Sequence, residues 1–201
     1  MSARDEVLHR IRVALSPSRP HVGVPRNYRI SGLADLNLFI ERVSDYRATV
    51  RTTEDGDVAS CLSGLLPGTV IVPEGFPAGW LPDRELVRDE PPLDVRELDA
   101  VEAVLTCCAI GIAETGTVVL DHGTGQGRRA LTLVPDHHVV VLRAAQVVAG
   151  VPDALRRLDP LRPQTWISGP SATSDIELNR VEGVHGPRRL DVVVVVSEPK
   201  E

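Results

Sequence analysis

Short runs of branched aliphatic residues alternate with segments of helical periodicity along most of this 201-residue chain. The clearest strand-like runs are residues 69–73 (TVIVP), 137–143 (HHVVVLR) and 189–196 (RLDVVVVV). Because aromatic residues make up only 3% of the chain, Val, Leu, Ala and Ile must fill the core. Strands that alternate with helices favour a mostly parallel sheet with helices on its faces. The sequence therefore predicts a single-domain α/β fold.

The length of the chain fits one domain with a modest extension. We assign residues 1–30 to an N-terminal helix and a proline-rich connection, and residues 31–201 to the α/β domain. The helix is predicted for residues 2–15, where apolar residues recur at helical spacing behind Ser2 as the N-cap. Residues 16–28 hold three prolines and little periodicity, which is typical of an irregular connection.

The remaining elements are predicted from periodicity, turn residues and caps. The predicted helices are residues 33–48, a segment that begins near Asp57 (VASCLSGLL), a patch at 98–105, 152–158 with Pro152 in the first turn, and 174–183 (SDIELNRVEG). The additional predicted strands are residues 48–52, 85–89 and 165–169, with 109–121 and 130–135 as neighbouring antiparallel strands joined by a glycine-rich loop.

Charge and cysteine content exclude several classes of protein. A net charge of −6 and a pI near 5.5 oppose a surface for nucleic acid or anionic membrane. The longest apolar run, Val192–Val196, is far shorter than a membrane span of about 20 residues. The first residues lack the apolar stretch of a signal peptide. Cys61, Cys107 and Cys108 form neither a disulfide framework nor a C-x-x-C metal motif, and the adjacent pair is typical of small core residues. We therefore expect a soluble protein of the cytoplasm with no metal site.

Polar residues interrupt an apolar strand at residues 111–117 (GIAETGT). Glu114, Thr115 and Thr117 need hydrogen-bond partners or a function at such a position. One interpretation is a β-bulge in which Gly116 permits an unusual backbone angle and Glu114 faces water. The other is that these side chains contact a ligand. The spacing alone does not decide between the two.

A second motif, residues 168–177 (SGPSATSDIE), follows a predicted strand and precedes a predicted helix. Ser174 and Glu177 match a capping box, which is a purely structural role. The small residues before them place hydroxyls and backbone amides where the helix dipole attracts carboxylate or phosphate. Ligands of open α/β sheets also collect at the carboxyl ends of strands, where we expect this loop. Asp175 and Glu177 would repel an anion, which leaves Ser171 and Thr173 as the better contacts.

Two glycine-containing loops complete the set of candidate segments. In residues 182–189 (EGVHGPRR), His185 lies in a tight loop, where it either exchanges a proton or only stabilises the turn. The loop at residues 123–127 (GTGQG) lacks the G-x-G-x-x-G and P-loop patterns, so we interpret it as a flexible hairpin loop. The arginines that follow it, Arg128 and Arg129, either reach an anion or form a solvated surface pair.

The three motifs occur in the order GIAETGT, GPSATSDIE and GVHGP, and this series resembles the LUD (lactate-utilisation) family, in particular its lactate utilization protein C branch. The resemblance implies an α/β fold similar to the sugar-phosphate isomerase and CoA-transferase superfamily. The segment Thr106-Cys107-Cys108 departs from the family, in which a small or acidic residue more often follows the threonine. The pocket residues that the resemblance implies are Glu114, Thr115, Gly116, Thr117, Gly169, Pro170, Ser171, Thr173, Asp175, Glu177, His185 and Gly186.

The resemblance also implies a part in the oxidation of L-lactate to pyruvate, beside two iron–sulfur subunits. Three cysteines cannot supply a four-cysteine cluster, and the chain shows no flavin or nicotinamide motif. We therefore expect no cofactor in this chain, iron–sulfur clusters in partner subunits only, and a small carboxylate or phosphate-bearing ligand here. The alternatives are a stand-alone isomerase, CoA-transferase or cyclo-ligase with Glu114 as nucleophile or base assisted by His185, or a metabolite-sensing regulatory domain. The motifs assign no catalytic residue.

Overall fold

The computed structural model describes residues 2–15, 23–25, 32–173, 181–182 and 186–196. The helices in these ranges are α1 (Ala3–Leu15), α2 (Leu36–Asp45), α3 (Val58–Leu65), α4 (Val95–Asp99) and α5 (Val151–Arg157). The strands are β1 (Thr49–Glu54), β2 (Val70–Val72), β3 (Val87–Arg88), β4 (Ala103–Cys107), β5 (Ile110–Ile112), β6 (Thr117–Leu120), β7 (His137–Arg143), β8 (Val147–Val148), β9 (Thr165–Ile167), β10 (Ala172–Thr173), β11 (Val181–Glu182) and β12 (Arg189–Val196).

The main sheet has six strands in the order β1-β12-β7-β4-β2-β3, and every neighbouring pair is parallel. At its centre, Val140 on β7 lies opposite Val192 on β12 and Thr106 on β4. Central parallel strands are covered on both faces, so they consist of near-continuous apolar residues. The predicted α/β fold with a mostly parallel sheet is therefore confirmed.

Both faces of the main sheet are covered. α3 packs on one face through Val58, Leu62 and Leu65. A smaller mixed sheet of order β8-β5-β6-β9 packs on the other face together with α2, whose Phe39 is fully buried. α5 covers the far side of this smaller sheet through Ala154. The smaller sheet divides the core into separate apolar clusters, and it carries the first predicted motif.

The predicted helical patch at 98–105 is wrong beyond its first residues. α4 ends at Asp99, and β4 begins at Ala103. The periodicity misled because Leu98, Val101 and Val104 are all buried in one cluster. A helix and the strand that follows it therefore contribute side chains to the same core, and their spacing imitates one continuous helix.

The predicted antiparallel pairing of 109–121 with 130–135 is also wrong. Antiparallel pairing occurs inside the first segment, where Ile110 of β5 lies opposite Val119 of β6. Arg129–Thr132 forms a 3-10 turn in place of a strand. This turn buries Leu131 against the cluster that holds α4, which explains the apolar residues that suggested a strand.

Two further predictions concern the ends of the chain. α1 forms as predicted, with the Ser2 hydroxyl accepting a hydrogen bond from the Asp5 amide at 3.2 Å, and it has no buried residue. The helix predicted at 174–183 is wrong at Val181–Glu182, which pairs with Ala172–Thr173 as an antiparallel ladder; residues 174–180 and 183 lie outside the described ranges.

The predicted boundary at residue 30, between the N-terminal segment and the α/β domain, stays a prediction. Most of residues 16–31 lie outside the described ranges.

Candidate functional site

A cleft of about 300 Å³ lies where residues of the second and third motifs meet, and we call it the motif cleft. Its wall includes His138 and Leu190, each the second residue of its main-sheet strand, β7 or β12. The second motif follows the carboxyl end of β9 in the smaller sheet, whereas the cleft lies at the amino ends of the main-sheet strands β7 and β12. The expected position at the carboxyl ends of strands therefore does not hold for the main sheet. The described residues that line the cleft are Arg129, Thr132, Leu133, His138, Thr165, Trp166, Ile167, Ser168, Gly169, Pro170, Ser171, Gly186, Pro187 and Leu190.

Four residues of the predicted site line the motif cleft together: Gly169, Pro170, Ser171 and Gly186. The Ser171 amide donates to the Pro187 carbonyl at 2.8 Å, which joins the second motif to the third. Thr173 belongs to β10, so a strand follows this loop directly and the helix-dipole argument for it fails. Asp175, Glu177 and His185 lie outside the described residues.

A chain of hydroxyl groups connects the first motif to the edge of the cleft. The Thr115 and Thr117 hydroxyls are 2.7 Å apart, and the Thr117 hydroxyl is 2.8 Å from that of Ser168, which lines the cleft. A hydroxyl group can both donate and accept a hydrogen bond, so each of these three hydroxyls has a partner. Thr115 and Thr117 thus support the cleft through Ser168.

Glu114 lies elsewhere. It is exposed and lines a separate cleft of about 610 Å³ beside the start of α5. Its carboxylate occupies the space in front of Gly150, where a Cβ atom would lie 2.7 Å from Oε2. The described structure therefore does not place Glu114 in the motif cleft, although the neighbouring Thr115 and Thr117 are connected to that cleft through Ser168.

Gly116 and Gly169 are required by close packing. Both have positive φ angles, +58° and +86°. A Cβ on Gly116 would lie 2.5 Å from the Arg42 carbonyl carbon, and one on Gly169 would lie 2.6 Å from the Tyr46 Cβ. Only glycine combines this backbone conformation with such an approach. These two glycines hold the first and second motifs against the end of α2.

We expect Gly116→Ala to lower the free energy of unfolding by about 2–4 kcal/mol, because it adds left-handed backbone strain to a backbone clash. Gly64→Ala in α3 is the matched control, since nothing lies within 4 Å of a Cβ there and alanine should stabilise the helix by about 0.5–1 kcal/mol. Urea unfolding of both variants measures the difference. Equal stabilities would show that the Gly116 turn relaxes freely.

Sequence reasoning missed His138, which is only 1% exposed although it lines the motif cleft. Its Nε2 lies 2.8 Å from the Thr106 hydroxyl of β4. Burial, and then the neighbouring His137, lower the pKa of His138 to about 3, so the ring is neutral near pH 7. The available signal was a histidine at the start of an otherwise apolar strand.

The glycine-rich loop supplies the cleft with Arg129 and holds Arg128 away from it. Arg128 forms a two-point ion pair with Asp89, at 2.7 and 2.9 Å, and this pair lowers the pKa of Asp89. Arg129 lines the cleft and forms no ion pair with any carboxylate of the described residues. The two arginines predicted as a pair therefore have different environments.

The same loop is fixed to the sheet, which corrects its interpretation as a flexible hairpin loop. The Gly125 carbonyl accepts from the Cys107 amide at 2.8 Å, and the Gly125 amide donates to the Glu74 carbonyl at 3.0 Å. Gln126 is 5% exposed and its amide group binds Asp121 at 2.8 Å. Burial raises the pKa of Cys107 to about 11, which keeps it a thiol near pH 7.

A second polar cluster lies on the opposite face of β7, since successive side chains of a strand alternate between faces. His137 Nε2 is 2.5 Å from Asp191 Oδ2, and Arg189 Nε is 2.7 Å from the same oxygen. Burial alone would raise the pKa of Asp191, but the hydrogen bonds from His137 and Arg189 outweigh burial and lower it. This cluster is separate from the motif cleft and stabilises the amino ends of β7 and β12.

The electrostatic character of the motif cleft follows from its lining. Arg129 is the single charged side chain among its described lining residues, and no carboxylate is among them. Hydroxyls, the neutral His138 ring and apolar side chains make up the rest. Such a lining suits a small ligand with one negative charge.

Comparison with known proteins agrees with these features. The LUD domain model matches residues 81–195. A Deinococcus radiodurans protein named lactate utilization protein C is 46% identical over 202 aligned positions, which cover 96% of this chain and 95% of that protein. A Shouchella clausii protein of the same name is 32% identical over 108 positions, which cover 50% of this chain and 47% of that protein.

A solved structure shows the same fold. The crystal structure of a DUF162 family protein from Deinococcus radiodurans superposes with a TM-score of 0.68 at 44% identity, over 80% of this chain and 95% of that one. The domain match covers more than half of this chain, including β4 to β12 and every described lining residue of the motif cleft. The chain therefore belongs to the LUD domain family.

Proposed function

We propose that this protein serves in lactate utilisation, as a subunit without a redox centre that binds a small anionic ligand in the motif cleft. The observation that carries the proposal is the 46% identity to a lactate utilization protein C over 96% of the chain. Relatives this similar over nearly their whole length share a fold, and described residues of the second and third motifs meet at the motif cleft. The proposal therefore assigns the ligand to that cleft.

Oxidation of lactate requires an electron acceptor, and we propose that partner subunits with iron–sulfur clusters supply it. The three cysteines of this chain are one short of the four thiolates that hold a cluster. Two of them, Cys107 and Cys108, have pKa values raised by burial, so neither is a ready thiolate ligand. This chain would then bind the ligand and dock the partners.

The alternative of a stand-alone enzyme with Glu114 as nucleophile gains no support from the geometry. Glu114 and the hydroxyls of Ser168 and Ser171 line different clefts. Such an enzyme would have to act from the cleft beside α5, whose lining includes none of the described residues of the second and third motifs. No other described observation favours it over the lactate proposal.

Deletion of the gene should abolish or strongly slow growth of the host on L-lactate, while growth on pyruvate stays unchanged, because pyruvate enters metabolism after the oxidation step. Re-expression of the intact gene should restore growth. Affinity purification of the protein from lactate-grown cells should recover cysteine-rich cluster proteins. Undiminished growth of the deletion strain on L-lactate would refute the proposed function.

A further inference from the structure

The outer side of β1 lies at the edge of the main sheet. β1 pairs with β12 along its whole length, from Thr49 opposite Asp191 to Glu54 opposite Val196. In a parallel pair, alternate residues direct both their N–H and C=O groups away from the neighbouring strand. Among the described residues, no group outside the sheet hydrogen-bonds to the backbone of residues 49–53. The outer side of β1 therefore presents a row of unpaired backbone groups.

β1 is also the longest edge strand of the two larger sheets. It has six residues, whereas the other edge strands, β3, β8 and β9, have two or three. Proteins commonly prevent pairing at an edge by keeping the strand short or by placing proline in it. β1 has neither feature, and four of its six residues are exposed. Such an edge is suited to pair with a strand of another chain.

We propose that β1 pairs with β1 of a second copy of this chain, antiparallel and across a twofold axis at Thr53, so that the two main sheets become continuous. The inference concerns assembly and does not depend on the proposed function. A twofold axis normal to the sheet keeps each face on its own side in both copies. Residues that lie opposite each other then have both odd or both even numbers, because successive side chains alternate between faces.

Charge selects one register among those near the middle of the strand. A register centred on Arg51 would place this arginine opposite its own symmetry mate, and like charges directly opposite are destabilising. A register centred on Thr52 pairs no charges. The register centred on Thr53 places Arg51 opposite Asp55 of the second copy, and the symmetry repeats this pair. Thr53 then lies opposite Thr53, and Thr–Thr pairs stabilise antiparallel strands.

Both members of this ion pair are exposed and suitably placed. Arg51 forms no ion pair with a carboxylate in the described part of the chain. The Asp55 Oδ1 atom accepts from Arg143 Nη1 at 2.6 Å and from Trp80 Nε1 at 3.3 Å. These two bonds hold the carboxylate at the end of β1, and no hydrogen bond to a described residue involves its Oδ2. Oδ2 is therefore the oxygen that would accept from Arg51 of the second copy.

The helices beside β1 enlarge the interface beyond one strand pair. Stable interfaces bury about 1,200–2,000 Å² in total, which is more than a short strand supplies. α2 and α3 both contact β1, from opposite faces of the sheet. Antiparallel pairing brings each of them towards its symmetry mate. The exposed residues of α3 are Ser60, Ser63 and Gly64, so its outer surface has no bulky side chain to obstruct this approach.

Sedimentation equilibrium of the full chain, from about 1 to about 100 μM, tests the inference. The wild type should form a dimer in this range. Arg51→Glu should raise the dissociation constant of the dimer about tenfold or more, because it places two acidic residues opposite each other. Arg157→Glu is the matched control, since it makes the same change on an exposed residue of α5 and should leave the dimer intact. A wild type that stays monomeric, or a dimer that Arg51→Glu does not weaken, would overturn the proposal.

Thr53→Cys tests the register. Directly opposite side chains of an antiparallel pair lie close enough for a disulfide, so mild oxidation should give covalent dimers. Thr49→Cys is the control, because Thr49 lies opposite Asp57 in this register and should not cross-link. The wild type measures the background from the partly exposed Cys61. A dimeric Thr53→Cys chain that cross-links no more than Thr49→Cys would overturn the register.

Hydrogen exchange of the wild type covers the case in which a variant does not fold. The outward-facing amides of β1 should exchange about tenfold or more slowly at 100 μM than at 1 μM, because the dimer protects them. Exchange at β1 that does not depend on concentration would contradict the pairing. Protection of β1 only in a complex with a different protein would overturn the second copy as its occupant.

Discussion

Replacement of Asp191 by alanine should lower the free energy of unfolding by about 3–5 kcal/mol. The Asp191 side chain is 1% exposed and one of its oxygens binds both His137 and Arg189. Its other oxygen, Oδ1, has no partner among the described residues, so the carboxylate is stabilised by those two contacts. Without the carboxylate, the buried His137 ring loses its partner, and an unpaired buried group costs more than the pair contributes.

Asp136→Ala is the matched control for this experiment. Asp136 forms an ion pair with Arg188 at 3.5 Å, but both side chains are more than 60% exposed. Exposed pairs contribute about 0–1 kcal/mol, so Asp136→Ala should change stability little. Chemical denaturation of both variants at pH 7 gives the two free energies. Similar losses of unfolding free energy in the two variants would mean that burial of Asp191 does not increase what its carboxylate contributes to stability.

The second large effect is a pH dependence of stability caused by His138. The folded pKa of about 3 lies below the ordinary value of 6.5, so the unfolded chain binds a proton in this range and the folded chain does not. Stability therefore rises with pH from about 3 to 6.5 and is constant for this group above that. Between pH 6.5 and pH 5 the wild type should lose about 1.6 kcal/mol through this group.

Denaturant unfolding at several pH values measures this slope. His138→Gln should flatten it between pH 5 and 6.5, because glutamine does not titrate. His9→Gln replaces an exposed histidine on α1 and should leave the slope as in the wild type. Asp191 adds its own loss only at lower pH, since its folded pKa is lowered from 3.8 and its stabilising effect disappears as pH falls through the folded value. A slope unchanged in His138→Gln would show that the folded chain protonates this ring over the same pH range as the unfolded chain.

The sequence alone determined the class of fold. The runs at β2, β7 and β12 are apolar because each strand is covered on both faces, so their composition reports burial directly. The order of the three motifs also identified the family, because motif order can be read along the chain without knowing the fold. Both features depend only on residues that are close together in the sequence.

The tertiary structure decided which of the motif residues share a site. Thr117 and Ser168 meet across β6 and β9 although 51 positions separate them, while Glu114 turns into another cleft. The pairing of His138 with Thr106 depends on the register of β7 against β4. Strand order and register arise from packing between distant segments, so local periodicity contains no record of them. For that reason the motifs predicted which residues to consider, whereas the fold gathered the described ones at a cleft at the amino ends of β7 and β12, selected Arg129 over Arg128, and added His138 to the lining.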